Sequence, residues 1–76
     1  MDYKIQELVQ KGDKFVDDGK YEEALPYYEE ALTFKPNEPD ILNKKGVALR
    51  SLGRYNEAIE CFNKSLKISP RDLDAS

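Results

Sequence analysis

Displaced by 34 residues, the chain falls back on itself. Leu8 lands on Leu42, Lys11 on Lys45, Gly12 on Gly46, Gly19 on Gly53 and Tyr21 on Tyr55. Glu23, Ala24, Leu32 and Pro36 meet Glu57, Ala58, Leu66 and Pro70. These nine identities need no gap, and Lys20/Arg54, Leu25/Ile59, Tyr28/Phe62 and Phe34/Ile68 are conservative. A period of this size marks supersecondary units that bury their apolar faces against one another rather than alone. The 76 residues therefore read as one domain holding two copies of a unit, about 5–38 and 39–72, with 73–76 the start of a third unit or cap.

Each unit reads as two helices. Ile5, Leu8, Gly12 and Phe15 recur at helical spacing. Asp18-Gly19 then supplies a stop, because glycine takes the left-handed conformation that closes a helix. Tyr21, Ala24, Leu25, Tyr28, Ala31 and Leu32 form the next helix, which ends before Pro36 because proline disfavours helical geometry in the residue preceding it. Leu42, Gly46 and Leu49, then Gly53, then Tyr55 to Leu66 and Pro70 repeat the pattern. No stretch alternates as a half-buried strand does, so the fold class is all-α. Gly12 and Gly46 fall inside helices, where glycine costs up to ~1 kcal/mol against alanine, and so predict close approach of a neighbouring helix. Ala24 and Ala58 are the expected small partners, with Phe15, Tyr28, Leu49 and Phe62 filling the space around them. Pro26, beyond the first turn of its helix, deletes a hydrogen bond and is read as an outward-facing kink.

Leu8-x2-Lys11-Gly12-x2-Phe15, with Ala24-x3-Tyr28 and Pro36 behind it, resembles the tetratricopeptide repeat, and so does Leu42-x2-Lys45-Gly46-x2-Leu49 with Ala58-x3-Phe62 and Pro70. Leu8 and Leu42 stand in place of the usual Trp, Lys11 and Lys45 in place of a Leu, and Ser65 in place of a small apolar residue. The resemblance implies tandem helix-turn-helix repeats forming a short right-handed α-solenoid. It also implies a protein-interaction scaffold without catalysis, whose first helices line a concave binding surface. In the family's chaperone-binding branch, a Lys and two Asn clamp a peptide's terminal carboxylate. The matching positions here hold Val9, Asp13 and Lys44, so that clamp is not expected.

Composition removes other chemistries. The chain has no His, which takes away the commonest general base and metal ligand, and its one Cys cannot build a zinc site. A net charge of −3 argues against nucleic acid, whose binders need a basic field. No apolar run approaches the ~20 residues of a membrane span, and the start at Met1 lacks the pattern of a signal peptide. With one cysteine and no targeting segment, the expected compartment is the reducing cytoplasm. No cofactor and no metal are expected, and carboxylate pairs such as Glu22/Glu23 and Glu29/Glu30 read as solvated helix faces rather than an enzyme's acid and base. Asp17-Asp18-Gly19 is a helix stop and not a calcium loop, since Lys14, Val16 and Leu25 occupy the loop's ligand positions. Asn63-Lys64-Ser65 is a chance sequon inside a helix. Cys61 is expected to be a partly exposed thiol, and Tyr27-Tyr28 one core ring beside one outward ring.

The expected partner is a protein or peptide. Gln6, Val9, Asp13 and Val16 follow one another at helical spacing off the Leu8-Gly12-Phe15 packing face, and the period carries them to Asp40, Asn43, Val47 and Arg50, with Lys44 alongside. By resemblance these nine residues line the concave surface. Arg50 is the expected anchor, its guanidinium binding a carboxylate while its stem packs on Val16 or Val47. The alternative is a self-assembling structural unit, free-standing or part of a longer array. The last helix would lack a polar cap, and residues 1–38 carry −5 against +2 for residues 39–76. Head-to-tail stacking and a closed two-fold pair both remain open on that reading.

Overall fold

The computed structural model describes residues 3–68. Four helices follow one another: α1 (Tyr3–Asp17), α2 (Tyr21–Phe34), α3 (Pro39–Ser51) and α4 (Tyr55–Ile68). α1 packs on α2, α2 on α3 and α3 on α4, so the chain is two helical hairpins stacked as a short α-solenoid. The expected stop at Pro70 and the start of a further unit near Leu73 lie outside the described residues.

The first helix of each hairpin ends in the same way. Gly19 and Gly53 hold φ of +77° and +82°, the left-handed region that costs glycine nothing. Gly19 N–H donates to the Val16 carbonyl and Lys20 N–H to the Phe15 carbonyl, at 2.9 and 2.7 Å. Gly53 and Arg54 do the same to Arg50 and Leu49, at 3.0 and 2.9 Å. This pair of bonds satisfies the last carbonyls of the helix and turns the chain back on itself. At the start of α4 the Arg54 guanidinium then donates twice to the Glu57 carboxylate, both at 2.9 Å. α2 ends at Phe34, ahead of Pro36, and runs unbroken through the exposed Pro26.

Both helical glycines are close approaches, but their partners are rings rather than the alanines expected. A Cβ built on Gly12 would stand 2.6 Å from Cε1 of Tyr28, and one on Gly46 would stand 2.6 Å from Cε1 of Phe62. The flat ring slides over the bare backbone of the facing helix, so the closest contact is made by the larger residue one turn beyond the alanine.

Two apolar clusters form the core. The first joins Leu8, Ala24, Tyr28 and Ala31 to Ile41 of α3. The second joins Ala48, Leu49, Ala58 and Cys61 to Leu25 of α2. Cys61 is 8% exposed, not the partly exposed thiol expected. It shares the inner face of α4 with Ala58 and Ser65, and that burial pushes its thiol pKa up. Tyr28 is the core ring of its pair, but Tyr27 is half-buried rather than outward, because it stacks on Phe15 with ring centroids 5.5 Å apart. Lys45 buries most of its stem and brings its ammonium 3.8 Å from Glu29.

Candidate functional site

Stacking α3 beside α1 leaves an open channel along the first helices of the two hairpins. Three adjoining concavities, of about 450, 460 and 560 Å³, make it up. Gln6, Val9, Asp40 and Lys44 line the first. Asp13, Val16, Asn43, Lys44 and Val47 line the second, over the ring of Tyr28. Asp40, Asn43, Val47 and Arg50 line the third, against Phe62, Ser65 and Leu66 of α4. Lys44, Asn43 and Val47 are shared between neighbours, which makes the concavities one run. Arg50 lies with Val47 in the third, whereas Val16 belongs to the second.

The middle of the channel holds a polar bridge that sequence reading did not anticipate. Asp13 of α1 accepts a hydrogen bond from the Tyr28 hydroxyl of α2 at 2.6 Å through Oδ1. Its Oδ2 accepts from Lys44 Nζ of α3 at 3.2 Å. One carboxylate therefore ties three helices together. Both charged side chains are near 40% exposed, so the ion pair itself contributes no more than about 1 kcal/mol. One period later, Val47 and Phe62 replace Asp13 and Tyr28: where the hydroxyl goes, the carboxylate goes too. That exchange was the available signal. A carboxylate ligand brought to Lys44 would also meet the negative charge of Asp13.

Tyr28 is 1% exposed. Burial, then the hydrogen bond to Asp13, then the negative charges of Asp13 and Asp17 push its pKa far above the ordinary tyrosine range. The folded state thus favours the protonated phenol. That contribution is complete below the unfolded tyrosine pKa of about 10 and is lost as pH rises beyond it. Urea midpoints measured from pH 8 to 11 are expected to fall more steeply for the wild type than for Tyr28→Phe.

Arg50 is exposed and has no ion-pair partner among the described residues. The third concavity therefore offers a charged fork beside the apolar Val47, Phe62 and Leu66. Among the described residues, no three His, Cys, Asp or Glu side chains come together to hold a metal ion, and no helix is long and apolar enough to cross a membrane.

Two stacked helical hairpins with a groove along their first helices define a helical-repeat protein. Models of the tetratricopeptide repeat match residues 39–72 and, for a second model, residues 12–50; the chain belongs to the tetratricopeptide repeat family. It is similar to an Hsp70-Hsp90 organising protein of Plasmodium falciparum, with 40% identity over 63 residues, 83% of this chain and 25% of that one. It is 38% identical over 65 residues to an uncharacterized protein of Methanocaldococcus jannaschii, covering 86% of this chain and 76% of that one. A tetratricopeptide repeat and J domain-containing co-chaperone of Fusarium oxysporum is 36% identical over 69 residues, 91% of this chain and 13% of its own length. The chain spans a quarter or less of the organising proteins that it matches.

Proposed function

We propose that the chain is a non-catalytic protein-interaction module of the cytoplasm, built of two repeats at about 5–38 and 39–72, that holds a peptide in the groove along α1 and α3. The observation that carries this reading is the convergence of Gln6, Val9, Asp13 and Val16 with Asp40, Asn43, Lys44, Val47 and Arg50 on one continuous channel. Similarity to relatives named as an organising protein and a co-chaperone supports it.

The ligand's chemistry follows from what the groove leaves available. Lys44 is engaged by Asp13, whereas Arg50 has no ion pair among the described residues and is the cation offered beside Val47 and Phe62. A peptide that sets an apolar side chain on Val47 and Phe62 and an Asp or Glu on the Arg50 fork satisfies both. Charge reversal at Arg50 alone is the clean test, because Lys44→Glu would set a carboxylate beside Asp13 and disturb the fold. Peptides selected from a random display library on the wild type are expected to be enriched in acidic residues and to bind Arg50→Glu at least about tenfold more weakly. Their amide shift changes should fall on α1 and α3, with the melting temperature within about 2 °C of wild type, as for other surface changes. Equal binding to Arg50→Glu, or shifts confined to α2, would remove the site from this groove.

A further inference from the structure

The outer face of α4 carries Tyr55, Ile59, Phe62 and Leu66 at spacings of four, three and four residues. Tyr55, Ile59 and Leu66 are 62%, 52% and 48% exposed. One period earlier, Tyr21, Leu25, Tyr28 and Leu32 hold the same positions on α2, and all four are buried or half-buried, because α2 is packed on both sides, by α1 and by α3. The two helices present the same docking face, and among the described residues it is filled once.

On α2, the filling comes from Ile41, Ala48 and Leu52 of α3. A second molecule stacked head to tail would have to supply the same contacts from α1. The equivalent positions there are Glu7, Lys14 and Asp18, all exposed. Setting these charges against Ile59 and Leu66 would desolvate them without partners, so α1 does not fit this face.

The rim of the face points to a different occupant. On α2 it is acidic: Glu22 lies 3.9 Å from Arg54, and Glu29 lies 3.8 Å from Lys45. On α4 the same two positions are Asn56 and Asn63. A two-fold contact brings each rim close to its own copy. Carboxylates repel there, whereas amides both donate and accept. The stripe also reads the same in both directions. Reversing α4 about its midpoint sets Tyr55 on Leu66 and Ile59 on Phe62, twice over, as an isologous interface requires.

We propose that a second copy of this chain covers α4, in an antiparallel two-fold α4–α4 contact. The contact shares Phe62 and Leu66 with the third concavity of the groove, whereas Tyr55 and Ile59 lie outside it. Four side chains per copy form an interface well below the ~800 Å² per partner of a standard stable complex, so the dimer is weak and concentration-dependent. With an apolar stripe and a neutral rim, it does not loosen as salt rises, unlike a pairing of the −5 and +2 halves.

Sedimentation equilibrium on the 76-residue chain from about 10 µM to about 1 mM is expected to show the mass rising from 8.8 kDa toward twice that value and stopping there. Ile59→Lys should hold it at the monomer, and Lys14→Ala should change nothing. In a Cys61→Ala background, a mixture of Tyr55→Cys and Leu66→Cys should oxidise preferentially to the mixed disulfide. A chain that stays monomeric throughout, with or without another protein bound on α4, overturns the proposal. So does a dimer that survives Ile59→Lys, growth beyond the dimer, or a preference for like disulfides. The Ile59→Lys arm stands whether or not the cysteine variants fold.

Discussion

Gly12→Ala is expected to destabilise the chain by about 2 kcal/mol, whereas the same change at Gly46 costs less than about 1 kcal/mol. The two sites look identical locally, since an added methyl meets a ring carbon at 2.6 Å in both. What differs is the freedom of the ring. Tyr28 is fully buried and its hydroxyl is held by Asp13 at 2.6 Å, so a methyl on Gly12 must push the ring off its bond or part the helices. Phe62 has no hydroxyl and is half-buried on the open side of α4, so it swings away from Gly46. Better helix propensity of alanine, worth up to ~1 kcal/mol, offsets part of the strain at both sites. In a domain this small, 2 kcal/mol lowers the melting temperature by roughly 10 °C. Equal losses for the two variants, by thermal and urea unfolding, would show that the ring's tether is irrelevant.

A second matched pair measures what stacking contributes. Leu25 and Ile59 lie one period apart at 5% and 52% exposure. Leu25 packs among Ala48, Leu49, Ala58 and Cys61 of the next hairpin, so Leu25→Ala removes a buried side chain and leaves a cavity, costing about 3 kcal/mol. Ile59→Ala alters a surface position and should stay within about 0.5 kcal/mol. Both are to be measured at a few micromolar or less, where an α4–α4 contact is dissociated. A loss at Ile59 comparable to that at Leu25 would mean that α4 is already covered within one molecule.

Much of this architecture was legible in the residues because it depends on single positions. Gly19 and Gly53 mark the turns since glycine takes their φ without strain, and Pro36 marks the end of α2 since it disfavours helical geometry in the residue before it. The groove residues were legible for a related reason: a fixed period places equivalent residues of stacked units on the same side. What escaped depends on how helices cross. Asp13 and Lys44 are 31 residues apart, and their pairing is set by the distance between α1 and α3 rather than by anything local. The misreading of Cys61 has the same origin. The inner face of α4 runs through Ala58, Cys61 and Ser65, with Phe62 at its edge, and which side faces inward is set by how α4 lies on α3.

Each hairpin lodges one side chain in the other's interior: Ile41 reaches back among Leu8, Ala24, Tyr28 and Ala31, and Leu25 reaches forward among Ala48, Leu49, Ala58 and Cys61. Neither interior is complete without its loan. Fraying at one hairpin withdraws a plug from the other, which couples the opening of each hairpin to that of its neighbour. An opened hairpin would bare the apolar seam of its neighbour as well as its own.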